Sequence, residues 1–213
     1  MPAIDIDTDS GAAGQGKMAS TSSAEWERNS DSSSNLVAQT HLLANLLGAR
    51  VPGGRTKEGV MWYFSPSARP KFSKYVGVQE WRNAVFLMFN VVCGNTYGNS
   101  FIDKGGTMHV TYYLSERTRS DAPIIKRLAD KSPPPPLAET VAKGSTAHLF
   151  CRPAPETAKI NGLDNHDYVY AGRLKLVSKD LDRCPIEFVF ELVDYQHLKE
   201  RPDFQNILSL ARS

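Results

Sequence analysis

Residues 95–119 bring together side chains that could hold a nucleobase beside a phosphate. A Gly105-Gly106 turn follows a polar loop and precedes a strand predicted at 107–114. Period-two alternation gives that strand two faces: Met108, Val110, Tyr112 and Leu114 on one, and Thr107, His109, Thr111 and Tyr113 on the other. The strand ends in a polar, basic segment: Ser115, Glu116, Arg117, Thr118 and Arg119. Such groups can stack a base and read its edge, but an ordinary amphipathic strand with a charged end has the same pattern.

A second segment, residues 50–74, could contact phosphates. Its local charge is +5, from six basic residues and one acidic residue: Arg50, Arg55, Lys57, Arg69, Lys71 and Lys74 against Glu58. Aromatic residues are interleaved with these cations and follow them: Trp62, Tyr63, Phe64, Phe72 and Tyr75. Gly53-Gly54 and Pro70 indicate loops on either side of a short strand predicted at 60–64. Phosphate contact and a solvated loop are both compatible with this composition.

The residues that could perform catalysis or bind a metal do not form a recognised motif. A P-loop, a GxGxxG after a strand, an HExxH and a GxSxG elbow are all missing from the sequence. The five histidines are dispersed, and none stands at ligand spacing from a second histidine or a cysteine. A nuclease would need the carboxylates of residues 180–194 to meet in a cleft with Arg173 or Lys175: Asp180, Asp182, Glu187, Glu191 and Asp194. We therefore expect no enzymatic activity, no cofactor and no metal.

The charge is unevenly distributed along the 213 residues. The formal net charge is +2, but residues 1–34 carry −4 and the remainder +6, which suits a polyanionic partner. The leader at 1–34 is rich in Ser, Gly, Ala and Asp, and we predict that it is disordered. Residues 35–213 are predicted to be a single domain. Three widely spaced cysteines indicate free thiols, and no apolar run approaches the roughly 20 residues that span a bilayer. These features predict an intracellular protein, and the acidic serine-rich leader suggests a nuclear one.

The elements that must position these side chains are mostly short strands. Three helices are predicted. The first covers 35–48, the second begins at a capping residue at 120 or 121 and has Pro123 in its first turn, and the third covers 203–210. The apolar run within 79–93 has a length that fits either a buried strand or a buried helix, and its valines and phenylalanines favour the strand. Three further strands are predicted at 145–152, at 168–178 with a bend or bulge at Gly172, and at 185–193. A proline run at 133–136 forms a stiff linker. The pattern predicts an α+β fold: a small curled sheet or barrel of about six strands with two or three peripheral helices.

Three segments in this order resemble the PUA-like superfamily of nucleic-acid-binding barrels. They are TYGNSF with the strand ending TYYLSERTR, then AHLFCR, then YVYAGRLKLVSKDLDRCPIEFVFELVDY. The likeness is greatest to SRA-like domains attached to bacterial restriction helicases and HNH endonucleases, and it covers roughly residues 84–195. The matching positions are Tyr97, Asn99 and Phe101; Tyr113, Ser115 and Glu116; Leu149 and Phe150; Tyr168, Tyr170 and Gly172; and Pro185, Ile186 and Phe188.

The resemblance implies recognition of a modified base, methylated or hydroxymethylated, that is flipped from DNA into an aromatic pocket. In that interpretation Tyr97 and Tyr113 form the stacking walls beside Phe101, and Asn99, Ser115 and Glu116 contact the base edge. The phosphates are held by cations on two segments: Arg69, Lys71 and Lys74, and Arg117 and Arg119. Glu116 stands where the family often has Gln, and an acid there favours a donor edge such as the cytosine amino group. An effector partner would supply any catalytic outcome. An RNA-binding PUA-like module and a protein-interaction β domain remain open alternatives.

Overall fold

The computed structural model describes residues 44–65, 72–73, 76–81, 84–91, 99–132, 146–163 and 166–212. The strands in this part are β1 Val78–Trp81, β2 Ala84–Val91, β3 Ser100–Lys104, β4 Thr107–Tyr113, β5 Thr146–Pro153, β6 Val169–Asp180 and β7 Glu187–Leu192. The helices are α1 Lys57–Phe64, α2 Pro123–Leu128, α3 Pro155–Ile160, α4 Tyr195–Leu198 and α5 Pro202–Arg212, and residues 44–46 add one helical turn. The predicted α+β class is confirmed, with more strands and helices than predicted. The predicted leader at 1–34 and the proline linker at 133–136 lie outside the described residues.

All seven strands belong to one sheet, in the order β1-β2-β5-β6-β7-β4-β3. Strands β2 and β5 are parallel, and every other neighbouring pair is antiparallel. A parallel pair requires a long connection between its strands, and here that connection contains the β3–β4 hairpin, which pairs with β7 at the far side of the sheet. Within the described residues the sheet is open, because no ladder joins its edge strands β1 and β3.

A tight hairpin turn fixes the register of β3 and β4. Gly105 and Gly106 have φ angles of 63° and 91°, as a two-residue type I′ turn requires, and the Asp103 carboxylate accepts a hydrogen bond from the Gly106 N–H at 2.9 Å. The predicted turn is confirmed. The loop predicted before it is wrong for Ser100–Lys104, which is β3. This edge strand is largely exposed, so it lacks the apolar alternation by which a half-buried strand is recognised.

One face of the sheet carries an apolar core built from the central strands. Alternate residues of the central strands point into it, as predicted for 107–114 and 185–193: Met108, Val110 and Tyr112 with Phe188, Phe190 and Leu192. The strands curve around this core, because the rings of Phe101 on β3 and Phe89 on β2 lie 5.1 Å apart although four strands separate β2 from β3. Helix α5 covers the core at this point, with the Phe204 ring 5.8 Å from Phe101.

Helix α1 covers part of the opposite face of the sheet. The Phe64 ring lies 5.4 Å from Phe150 and 6.0 Å from Phe86, in edge-to-face contacts. The strand predicted at 60–64 is therefore wrong. The Thr56 hydroxyl caps the helix by accepting the Gly59 N–H at 3.1 Å, and Val60, Met61 and Phe64 are buried at helical spacing, where a strand would bury alternate residues.

Gly172 lies at a bulge in β6, as predicted. Leu149 pairs with Gly172 but Phe150 pairs with Tyr170, so Ala171 is the extra residue. Gly172 has a φ of +102°, and a Cβ there would lie 2.8 Å from an Asp194 carboxylate oxygen. The bulge therefore requires glycine for both conformation and space.

Helix α2 begins without the side-chain cap that the sequence predicts. Its N-cap is Ala122, and Pro123 occupies the first turn as expected. Asp121 instead binds the Arg119 guanidinium. Ile125 and Leu128 are buried on the inward side of the helix, and Ile124 is partly buried against the core.

Candidate functional site

Tyr113 is the last residue of β4, and its backbone is held between Asn99 on one side and β7 on the other. The Asn99 side-chain oxygen accepts its backbone N–H at 2.8 Å, and Tyr113 pairs with Glu187 in the register between β4 and β7. The next residue, Leu114, donates its N–H to the Ile186 carbonyl at 3.0 Å. The Tyr113 side chain is half-buried on the face opposite Tyr112, so it lies outside the apolar core.

Polar side chains from the β6–β7 connection surround the Tyr113 ring. The Tyr113 hydroxyl donates to a Glu187 carboxylate oxygen at 2.6 Å, and Arg183 donates to the same oxygen at 2.5 Å. The Arg183 guanidinium carbon lies 4.9 Å from the Tyr113 ring centroid, a cation–π distance. The hydrogen bond to Glu187, and then burial, raise the pKa of Tyr113 above its usual value. The hydroxyl therefore stays protonated at neutral pH and orients the carboxylate.

The segment after β4 is an exposed turn that presents charged groups. The Ser115 hydroxyl accepts the Arg117 N–H at 3.3 Å, and the Ser115 carbonyl accepts the Thr118 N–H at 2.8 Å. Glu116 and Arg117 are exposed on this turn. Arg119 forms a two-point contact with Asp121 at 3.0 and 2.9 Å, and both side chains are largely exposed. An exposed pair of this kind contributes little to stability and can exchange partners.

Two of the residues predicted for a base pocket, Asn99 and Phe101, contact other parts of the fold, and these contacts explain their positions without a ligand. The Asn99 side-chain oxygen is occupied by the backbone of β4, and Phe101 is half-buried against Phe89 and Phe204. Four further predicted site residues lie outside the described residues: Tyr97, Arg69, Lys71 and Lys74. The structure thus brings Tyr113 together with the turn that carries Ser115, Glu116, Arg117 and Arg119.

Sequence reasoning missed the two side chains that contact the Tyr113 ring and hydroxyl. The sequence pattern indicates Glu187 only as a possible nuclease carboxylate and gives no role to Arg183. The pairing of β4 with β7 places Glu187 beside Tyr113, 74 positions earlier in the chain. Arg183 and Glu187 are four residues apart, which is the only local signal that they could form an ion pair.

The carboxylates that a nuclease would use have separate contacts. Asp180 accepts two backbone N–H groups of the β6–β7 connection, at 3.1 and 3.2 Å. Glu191 lies 3.9 Å from the Lys175 ammonium, and Asp194 binds Arg173. Among the described residues, no three His, Cys, Asp or Glu side chains are grouped as a metal site would require.

A buried polar cluster lies on the face that α1 covers. His148 Nδ1 and the Tyr170 hydroxyl are 2.9 Å apart. Burial, and then the nearby Arg173 guanidinium, lower the pKa of His148 to about 3. Arg173 donates its backbone N–H and its Nε to one Asp194 oxygen at 2.8 and 2.9 Å. His148 and Tyr170 have no exposed surface, so the contacts of this cluster are internal to the fold.

Comparisons with known proteins leave the family undetermined. No model of a known protein family matches the chain, and no curated protein is significantly similar to it. None of the helices in the described ranges has the length and apolar character needed to cross a membrane. The PUA-like resemblance therefore stays a prediction that rests on the motifs quoted above.

Proposed function

We propose that this chain is a non-enzymatic DNA-binding module that recognises a methylated or hydroxymethylated base flipped out of the duplex. The observation that carries the proposal is the Tyr113 ring at the end of β4, outside the core, with a guanidinium 4.9 Å from its centroid and a carboxylate on its hydroxyl. An aromatic ring outside the core is the type of surface on which a nucleobase stacks. The carboxylate can accept a hydrogen bond from an exocyclic amino group.

The free-energy cost of extruding a base and the free-energy gain from stacking it are comparable in size. Extruding a base costs a few kcal/mol, and stacking on an aromatic side chain returns about 1–3 kcal/mol per base. Ser115 and Glu116, which are exposed two and three positions after Tyr113, are proposed to contact the base edge. Arg117 and Arg119 are proposed to hold phosphates, with Asp121 exchanged for a phosphate at Arg119. Tyr97 and Asn99 complete the proposed pocket, and Arg69, Lys71 and Lys74 the proposed phosphate contacts. Phe101, which the sequence also predicted for the pocket, pairs with Val110 on the core face of the sheet, so it cannot line a pocket with Tyr113 on the opposite face.

The finer part of the fold prediction, a PUA-like barrel, also belongs to this proposal. Two contacts across the curved sheet support it: the Phe101–Phe89 ring contact, and the Tyr112 hydroxyl at 3.5 Å from the Met88 carbonyl oxygen. Both join a strand near one edge of the sheet to β2 near the other. Hydrogen bonds that bridge the two edges would support the barrel, and a flat sheet with widely separated edges would refute it.

A binding competition tests the function directly. Fluorescence anisotropy at fixed salt would compare one duplex that carries a single 5-methylcytosine or 5-hydroxymethylcytosine with the same duplex unmodified. We expect tighter binding to the modified duplex and, in Tyr113→Ala, a loss of about tenfold in affinity that removes the preference. Tyr113→Phe is the matched control, because it keeps the ring and removes only the contact with Glu187. Equal affinity of the wild-type protein for both duplexes would refute the proposal.

A protein-interaction domain is the second candidate, and two observations favour it. Arg119 and Arg183 each form an ion pair with a neighbouring carboxylate, so neither is held ready for a phosphate. Strand β3 lies at the edge of the sheet and carries Ile102, which is 43% exposed. An edge strand can pair with a strand of a partner. A structured RNA included in the same competition would separate this candidate from RNA binding, because a protein-interaction domain should bind neither nucleic acid.

A further inference from the structure

The two oxygens of the Glu187 carboxylate have different surroundings. Oε2 accepts hydrogen bonds from the Tyr113 hydroxyl at 2.6 Å and from Arg183 at 2.5 Å. Oε1 reaches solvent and has no hydrogen-bond partner in the part of the chain that the structure describes. The Glu187 side chain is 22% exposed, so two donors hold the carboxylate and leave it accessible. One oxygen thus fixes the group, and the other is an oriented acceptor.

The strand pairing holds this carboxylate from the backbone side as well. Glu187 is the first residue of β7 and lies between Tyr113 of β4 and Asp180 of β6 in the sheet. The Asp180 carboxylate accepts the backbone N–H groups of Asp182 and Arg183 at 3.1 and 3.2 Å, which holds the connection that carries the Arg183 guanidinium. The direction of the Glu187 carboxylate is therefore set by the fold before a ligand binds.

Glu116, the carboxylate that the resemblance assigns to the base edge, lacks this support. It lies in the exposed turn after β4, and no hydrogen bond or ion pair to the described residues holds its side chain. Ordering a free side chain on binding costs conformational entropy that an oriented side chain has already lost. Glu187 is therefore the better placed acceptor for a base at Tyr113.

We propose that Glu187 Oε1 selects bases of the amino type, cytosine and adenine, against the keto bases thymine and uracil. This role rests on the proposed function, because it concerns a base stacked at Tyr113, and it gives Glu187 the amino contact otherwise assigned to Glu116. Cytosine N4 and adenine N6 carry amino donors, whereas thymine presents the O4 acceptor at the corresponding position. A keto oxygen beside Oε1 would set two acceptors against each other and leave both unsatisfied.

The substitution Glu187→Gln should reverse the hydrogen-bond character of this position with little change of shape. Arg183 can only donate, and the Tyr113 hydroxyl already donates at Oε2, so the amide places its oxygen there. The amide NH₂ then takes the place of Oε1 and donates outward, which favours a keto base. Glu116→Gln is the matched control, because it makes the same chemical change in the turn after β4.

Two duplexes test this role by fluorescence anisotropy at fixed salt. They carry either 5-methylcytosine or thymine at one position, opposite an abasic site. Both bases have the 5-methyl group and neither is paired, so methyl recognition and the cost of extrusion are nearly the same for both. We expect the wild type and Glu116→Gln to bind the 5-methylcytosine duplex about tenfold more tightly, the effect of one hydrogen bond to a charged group. Glu187→Gln should bind the two duplexes equally or prefer thymine.

The wild-type protein alone can overturn the role of Glu187. Equal affinity of the wild type for the 5-methylcytosine and thymine duplexes would do so, whether or not the variants fold. A tenfold preference retained in Glu187→Gln, or lost in Glu116→Gln alone, would also overturn it. We expect Glu187→Gln to fold, because the ion pair that it removes is with the largely exposed Arg183, and such pairs contribute little to stability.

The proposed function and the role of Glu187 can fail separately. Equal affinity for a methylated and an unmodified cytosine duplex would refute recognition of a modified base. If the same protein still preferred 5-methylcytosine to thymine and lost that preference in Glu187→Gln, the role of Glu187 would stand. The reverse result, a preference for the methylated duplex without discrimination between 5-methylcytosine and thymine, would refute only the role of Glu187.

Discussion

The buried imidazole of His148 predicts a specific loss of stability in mild acid. Its pKa is lowered to about 3 in the folded protein, first by burial and second by Arg173, whereas an unfolded chain has a histidine pKa near 6.5. Between these two pKa values the imidazole is therefore protonated in the unfolded state and neutral in the folded state. The free energy of unfolding falls as the pH drops below about 6.5 and continues to fall toward pH 3.

The magnitude follows from the two pKa values. Each pH unit between them costs about 1.4 kcal/mol, so acidification from pH 7 to pH 5 should lower the free energy of unfolding by about 2 kcal/mol through His148 alone. This is a large part of the stability of an ordinary domain, about 5–15 kcal/mol. Asp194 is the nearby acid that opposes the shift.

Urea unfolding at pH 7, 6 and 5 measures the effect, and a variant isolates it. His148→Gln keeps a polar group for Tyr170 and cannot take up the proton, so its stability should fall by about 2 kcal/mol less than that of the wild type between pH 7 and pH 5. His197→Gln is the control, because His197 is exposed and its removal should leave the wild-type profile unchanged. Equal pH dependence in the wild type and His148→Gln would show that the imidazole is protonated in the fold and refute the reasoning.

Three further predictions concern packing and charge. Asp194→Ala removes the carboxylate that binds Arg173, whose side chain is 11% exposed, and should lower the free energy of unfolding in urea by about 3 kcal/mol; a loss below about 1 kcal/mol would mean that solvent replaces the carboxylate. Gly172→Ala forces a methyl group to within 2.8 Å of Asp194 at a φ of +102°, so thermal unfolding should show a loss of about 1–3 kcal/mol, and an unchanged Tm would contradict the bulge. Phe204→Ala should cost about 3–5 kcal/mol, whereas Ile160→Ala, at a position 82% exposed, should stay within about 0.5 kcal/mol of the wild type in the same assay.

Local periodicity predicted the parts of the fold that are half-buried strands. The alternation at 107–114 and 185–193 corresponds to β4 and β7, with Val110 and Phe190 paired in the core. The same reasoning failed at 60–64, because five consecutive apolar and aromatic residues have the composition of a strand, whereas the Thr56 cap and the burial of positions 60, 61 and 64 make it a helix. The Thr56 hydroxyl was the available signal.

The site could be predicted only in part, because its members come from distant segments. The strand pattern predicted that Tyr113 points away from the core, and the structure confirms that it does. The contacts of its hydroxyl and ring depend on the pairing of β4 with β7, which no local pattern encodes. Residue type could identify these groups, but only the sheet order shows which of them meet.

The order of strands in the sheet also restricts how the protein can be made. The β3–β4 hairpin leaves the ribosome long before its neighbour β7, since Tyr113 precedes Glu187 by 74 positions. At about 5–20 residues per second, the β4 edge of the nascent hairpin stays unpaired for roughly 4–15 seconds before β7 is made. During that interval its apolar side chains are available to chaperones or to other nascent chains. Slower translation between the two strands should therefore increase aggregation, and a chain that stops before β7 should not acquire a stable hairpin.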